Sequence, residues 1–394
     1  MAHPKVTLTQ PLHEVLRRGH PWIWEDAINP RGRDLSAGDV VDVVRPGGEF
    51  VGRGVYDPDS PLRVRLWTLD PNVEVDDALL EARIRQARKR RAYPTHDTTG
   101  YRLLHGEGDR IPGLVCDIYG EVGVLRPDGL AAERWVEPAR KIIERLTGTS
   151  AWVVRRGQIH SSAERPVAAW LTEPRDPLIP FMEHGMLFVC DVIEGQKTGF
   201  FLDQRANRQH IAQLSRGRRM LNLFGYTGGF SVAAATAGAA RTTTVDLAEP
   251  AIRLAERHFE MNQLHPAAHE FIVSDVFDYL ERFEPGRAPF EVAVCDPPSF
   301  AHRRKDVGRA SGAYTRLFAR LLEVMPANST VALASCSSHI NRQHFLQLTA
   351  DAARQAGCAL VLTGIFGAGD DHPVLPGFPD GEYLQCVVGT VSRD

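Results

Sequence analysis

Over residues 1–73 the apolar positions come in short runs, DVVDVV (39–44), FVGRGVYD (50–57) and LRVRLWTL (62–69), each closed by Gly, Pro or Asp. Short β-type runs bounded by turn residues predict a small all-β module. The period then changes. Leu80, Ile84 and Ala87 repeat at helical spacing with arginines on the other face, which predicts a helix over 74–92 that Pro94 stops. Residues 100–175 return to strand-like runs, GLVCDIYG (113–120), GVLRP (123–127) and AWVVRR (151–156), with one amphipathic helix near 131–146. The Pro-rich EPRDPLIP at 173–180 marks a boundary. The expected organisation is therefore a β-rich domain at 1–73, a linking helix and α+β domain at 74–175, and a larger domain at 176–394.

From about residue 181 strands alternate with helices. RMLNLF (219–224) leads into the small-residue helix GGFSVAAATAG. TTTVDL (242–247) precedes a helix at 249–262, and EFIVSD (270–275) a short helix. EVAVCD (291–296) precedes a helix near 312–325, and TVALASCS (330–337) one that starts at 341. Such alternation predicts right-handed crossovers and a mostly parallel sheet, an α/β fold. Ligands on such a sheet bind at the carboxyl ends of the strands, at the topological switch point.

Polar residues close each of these strands. Gly225, Gly228 and Gly229 let a backbone turn approach a ligand and open a helix N-terminus, although a tight turn alone would also use them. The second strand ends on Asp246, about twenty residues past the turn, where an acid typically takes ribose hydroxyls. The third ends at Asp275, placed for an adenine edge, and the fourth at Asp296, before Pro297 and Pro298. Prolines cannot continue a ladder and hold a rigid projecting loop. The fifth strand carries Cys336 at its tip. The plain alternative for any one acid is a helix N-cap.

Charge and cysteine usage narrow the classes. The net charge of −3 argues against a nucleic-acid partner, but its distribution does not. Six basic residues lie between Arg83 and Arg91, and SRGRR (215–219) and HRRKDVGR (302–309) add two more clusters near candidate site loops. Any one of them also reads as a solvated face. The six cysteines form no close metal-type pair, so no structural metal is expected, and free thiols in a cytoplasmic protein are. No apolar run is long enough to span a bilayer. Trp22 and Trp24 are expected in the core of the first domain.

The motifs together resemble one family. GHPWIW (19–24), HGEGDRIPGLVCDIYG (105–120), GQKTGFFLDQRANR (195–208), LFGYTGGFSVAAATAGA (223–239), CDPPSFA (295–301), SCSSH (335–339) and DHPVLPGFPDGEYL (371–384) are similar to those of the bacterial 23S rRNA cytosine carbon-5 methyltransferases. The resemblance covers nearly the whole chain. It implies a PUA domain, a central α+β domain and a Rossmann-like class I methyltransferase domain with a seven-stranded sheet. The implied cofactor is S-adenosyl-L-methionine. The implied partner is 23S rRNA or a precursor of the large ribosomal subunit, with no membrane and with a homodimer as one option. By the resemblance Gln204, Arg205, Asn222, Phe224, Tyr226, Gly228, Asp246, Asp275 and Asp296 serve the cofactor, and Lys197, Pro297 and Phe300 the substrate. The chain departs from the pattern at Asn222, where Asp is common, and at Ile118, where Arg is usual.

The chemistry explains the residue types. Carbon-5 of cytosine is a poor nucleophile until a thiolate adds to carbon-6, so the reaction needs one Cys and one acid on the cofactor's rim. Cys336 and Asp296, at the tips of the fourth and fifth strands, are the expected catalytic pair. Cys295 points away from Asp296 by strand alternation and reads as a small core residue. His339 reads either as a proton-transfer group or as a cap, and Asp371 and His372 either as site or as structural residues. Guanine N7 methylation without a cysteine and a non-catalytic assembly factor stay open as alternatives. A nicotinamide enzyme is disfavoured by the missing G-x-G-x-x-G spacing.

Overall fold

The computed structural model describes residues 3–29, 35–157, 166–301 and 304–393, which form two compact units. The first comprises Met1–Met182, Cys190–Leu202 and Asp370–Gly381, and the second Glu183–Val189, Asp203–Gly369 and Glu382–Asp394.

The first unit holds two five-stranded sheets. One is built, in spatial order, from Lys5–Thr7, Val40–Val44, Phe50–Tyr56, Leu62–Thr68 and Trp22–Trp24. Its core is Val6, Ile23, Val41, Val43 and Val64 with their neighbours. Trp22–Trp24 is the last strand in that order and Ile23 takes its inward position, so alternation turns both tryptophans away from this core. Trp24 is 46% exposed, against the expectation of a core residue. Trp22 is half-buried, donates to Glu107 Oε1 at 2.8 Å and meets the Phe378 ring edge-on at 4.6 Å.

The predicted helix over 74–92 runs from Asp77 to Arg90, capped by Asp76, whose Oδ1 accepts from Leu79 N at 2.9 Å. It buries Leu80, Ile84 and Ala87 as the spacing requires, and Arg83 with them. Arg83 donates to the carbonyls of Trp67 and Arg110, while Arg90 and buried Arg91 pair with buried Asp109. Two of the six, Arg83 and Arg91, are therefore buried in their own fold rather than standing on a solvated face.

The second sheet orders Ala168–Trp170, Ala151–Arg155, Val122–Pro127, Leu114–Tyr119 and Gly100–His105, and Ile118 is buried within it. The helix expected near 131–146 is two, Leu130–Glu133 and Val136–Thr147, separated where buried Trp135 turns into the core. Asp371 and His372 are both buried in this unit. Asp371 accepts from Arg102 N at 2.9 Å and lies 2.8 Å from His372 Nδ1, a structural arrangement.

The second unit is one seven-stranded sheet: β1 (Arg219–Leu223), β2 (Arg241–Asp246), β3 (Glu270–Val273), β4 (Val292–Cys295), β5 (Thr330–Ser335), β6 (Ala359–Phe366) and β7 (Gln385–Ser392). Their spatial order is β3-β2-β1-β4-β5-β7-β6. All neighbouring pairs are parallel except those of β7, which runs antiparallel to β5 and β6. Helices α1 (Arg205–Leu214), α2 (Gly229–Thr236), α3 (Glu249–Met261), α4 (Val276–Leu280), α5 (Val307–Val324) and α6 (Arg342–Gln355) accompany it. Val292 and Val294 of β4 enter one core cluster, and Ala293 and Cys295 the other. The order reverses between β1 and β4, which puts the switch point at the carboxyl ends of these two strands.

Candidate active site

The turn after β1 is strained and closely backed. Phe224 and Tyr226 take φ of 56° and 47°, uncommon for residues with a side chain, and Gly228 takes 76°. A Cβ on Gly225 would lie 2.5 Å from Thr244 Cγ2 and 3.0 Å from Asn222 Nδ2, so only glycine fits there. Beneath it Asn222, 1% exposed, donates to Ser231 Oγ at 3.0 Å, which Thr244 Oγ1 also meets at 2.7 Å. Asn222 thus props the turn from below.

Asp246, half-buried at the end of β2, accepts from Tyr226 N at 2.8 Å and from Ala248 N at 2.9 Å. It ties the turn to the second strand and keeps lone pairs for hydroxyl donors. Exposed Asp275 caps α4, accepting from Phe277 N at 2.8 Å and Asp278 N at 3.3 Å. Glycine turn, α2 N-terminus and two acids on adjacent strand ends fit the cofactor that the motifs imply.

On the other side of the switch point, Asp296 follows β4 and accepts from buried Gln204 Nε2 at 2.8 Å. Gln204 Oε1 in turn accepts from Asn207 Nδ2 at 2.6 Å, which fixes the amide's orientation. Buried Pro297 follows, and half-buried Phe300 packs on the Tyr314 ring at 4.7 Å. Cys336 is half-buried just past β5, beside the Asp296 loop, because β4 and β5 pair in parallel with Cys295 opposite Leu333. Tyr314 of α5 senses both residues: burial, then the charges of Cys336 and Asp296, push its hydroxyl up to about 12 against opposing hydrogen bonds from Ser335 and Phe300 N. Cys295 is fully buried, and burial followed by Asp296 raises its thiol well above the ordinary range.

The other expected residues have these surroundings. Arg205 is buried with its Nε 3.5 Å from Glu183 Oε2, and Arg208 grips the same carboxylate at 2.7 and 2.6 Å. Burial raises the Glu183 pKa, but the Arg208 and Arg205 charges outweigh it and hold it lowered. Lys197 lies in the first unit at φ 54°, its Nζ 4.5 Å above the Phe201 ring. His339 is exposed and the cap of α6 is Asn341. The SRGRR cluster does not border the site loops: Arg219 opens β1, so the run lies at the amino ends of the strands. His302 and Arg303 lie outside the described residues. Tyr314, Ser335 and Ser337 went unnoticed in the sequence. Tyr314 shares a helical stripe with Leu317, Phe318 and Leu321 and reads as core.

A parallel sheet reversing at β1 and β4, with this turn and these acids, defines a class I S-adenosylmethionine-dependent methyltransferase. S-adenosylmethionine-dependent methyltransferases match residues 102–364, and a PUA-like domain matches residues 6–69. The chain is 34% identical to a ribosomal RNA large subunit methyltransferase of Deinococcus radiodurans over 97% of its length and 96% of the relative. It is 32% identical to ribosomal RNA large subunit methyltransferase I of Klebsiella pneumoniae over 97% of both chains. A solved SAM-dependent methyltransferase from Streptococcus mutans shares the fold (TM-score 0.85, 22% identity, 98% of this chain and 100% of that one). So does a methyltransferase structure complexed with SAH (TM-score 0.84, 23% identity, 99% and 100% covered). The chain belongs to this PUA-containing methyltransferase family, and S-adenosylmethionine is its cofactor.

Proposed function

We propose that the chain methylates carbon-5 of a cytosine in 23S rRNA, with Cys336 as nucleophile and Asp296 as the acid beside it. The observation that carries this reading is the contrast at two adjacent strand ends: Cys336 is partly exposed next to the Asp296 loop, while Cys295 is sealed in the core. The names of the relatives supply the class of substrate.

The Cys336 thiolate adds to carbon-6 and electron density moves to carbon-5. The bound cofactor supplies an electrophilic methyl group on a sulfonium. Asp296, held by Gln204, steadies the base at N3 while the adduct carries charge. A base takes the carbon-5 proton, and the Cys336 sulfur leaves by elimination. The target cytosine must be unpaired or flipped to reach these residues. Lys197, Pro297 and Phe300 take substrate roles, and the turn at 224–228 with Asp246 and Asp275 takes the cofactor. The three-domain division at 1–73, 74–175 and 176–394, RNA contacts from the PUA domain and the exposed part of the basic helix such as Lys89, and a cytoplasmic location go with this reading.

The test is mass mapping of modified nucleotides in 23S rRNA from cells with and without the protein, complemented by wild type or Cys336→Ala. One 5-methylcytosine should disappear and return only with wild type. An unchanged cytosine map with a lost methylguanosine sinks the reading.

A further inference from the structure

The two loops that carry Asp296 and Cys336 are joined by hydroxyls that have no part in the steps above. Tyr314, on α5, is fully buried, and its hydroxyl braces the Asp296 loop from beneath. It donates to Pro298 O at 3.4 Å and accepts from Phe300 N at 3.5 Å. The tie between the two loops comes from the other side. Ser337, the residue after Cys336 and 1% exposed, donates to Ala301 O at 3.3 Å. The same carbonyl accepts from Ser299 Oγ at 3.3 Å, so it takes one donor from each loop. The residue after the cysteine is thus fastened to the loop that follows the aspartate, and Tyr314 braces that loop.

We propose that Tyr314 and Ser337 are positioning residues that set the spacing of the Cys336 sulfur from the Asp296 carboxylate across the target base. The physical reason is the fold itself. Backbone pairing between β4 and β5 ends at Cys295 and Leu333, and β5 goes on pairing only with β7, as far as Ser335, so no ladder bond ties the two tips to each other. Both reacting groups stand past the last pair that joins their strands. An error of about 1 Å in such a pair costs on the order of 100-fold in rate, so a separate set of ties is needed. Neither hydroxyl touches the cofactor turn, which is held by Asp246, Ser231 and Thr244.

This inference rests on the covalent cytosine reading, and the test separates the two. Tyr314→Phe deletes the oxygen that braces the Asp296 loop and leaves the ring on Phe300, and Ser337→Ala deletes the tie between the loops. Turnover on 23S rRNA, cofactor affinity by calorimetry and the rate of adduct formation on 5-fluorocytosine RNA are measured for both, with Cys336→Ala alongside. Tyr314→Phe is expected to lower kcat about 100-fold and Ser337→Ala about tenfold, while RNA KM and cofactor affinity move less than about threefold. Adduct formation should slow in proportion to kcat. If Cys336→Ala forms no product but both hydroxyl variants keep wild-type kcat, the positioning role is overturned and the covalent reading stands. If Cys336→Ala stays active, the covalent reading fails whatever the other two do. Should Tyr314→Phe fail to fold, Ser337→Ala decides: an unchanged kcat, or a loss shared equally by cofactor affinity, rules the positioning role out.

Discussion

A thiol stands at or just past the end of each of two neighbouring strands, and the two thiols sit under opposite conditions. Cys295 is the last residue of β4, packed in the core with its thiol pushed up by burial and by the adjacent carboxylate. Cys336 stands one residue past β5, partly exposed, with the Asp296 loop beside it. The difference arises from a shift of one position relative to a strand end. Within the ladder, alternation decides which face a side chain joins; past it, the loop decides. Proximity to Asp296 in sequence therefore says little about chemistry, since the carboxylate that adjoins Cys295 raises its pKa and makes it less reactive.

Exchanging the two cysteines by mutation tests this contrast most severely. Cys336→Ala should lower methyl transfer from labelled cofactor at least about 1000-fold, and Cys295→Ala should leave kcat within about twofold. Equal losses would erase the distinction. Asp296→Asn keeps an acceptor for Gln204 and removes the charge, and kcat should fall about 100-fold with cofactor affinity little changed. On the cofactor side, Gly225→Ala forces a methyl into Thr244 and should weaken S-adenosylmethionine binding about tenfold or more by calorimetry, with the thiols unaffected. The smallest effect is on stability. Cys295→Ala should cost about 1 kcal/mol in urea unfolding through lost packing. The buried thiols also set an alkaline limit: the folded pKa of Cys295 lies above the unfolded value of about 8.5, so its contribution is complete below that pH and declines above it. A melting temperature that holds from pH 7 to 8 and falls beyond about pH 9 is expected, with a shallower fall in Cys295→Ala.

The alternation of strands and helices from residue 219 was legible most clearly at β1, β2, β4 and β5, each a mostly buried run between turn residues. Asp246 and Asp296 were legible because acids at strand ends follow from the placement of ligands on parallel sheets. Four features were not. Arg83 and Arg91 look like surface charges until Asp109 and the carbonyls of Trp67 and Arg110 are brought to them from elsewhere in the chain. Nothing in the sequence links Arg205 to Glu183, a lone acid in no pattern that the fold places against it. Asn222 reads as a departure at a contact point, while its depth beneath the turn depends on the packing of Ser231 and Thr244. Trp24 reads as core because tryptophan usually is, and only the sheet order shows that its strand is an edge. In each case the missing information is a partner distant in sequence.

The chain passes back and forth between its two units: Cys190–Leu202 and Asp370–Gly381 belong with the first although they interrupt the second. A polypeptide cut at residue 176 would therefore yield no intact half. The N-terminal piece would lack the segment that carries Thr198, which bonds Asp117, and the one that carries Asp371, which holds Arg102. The C-terminal piece would carry both segments without their seats. Inheritance follows the same rule: the first unit cannot be exchanged whole by a single crossover, because two of its segments lie within the stretch of chain that builds the second.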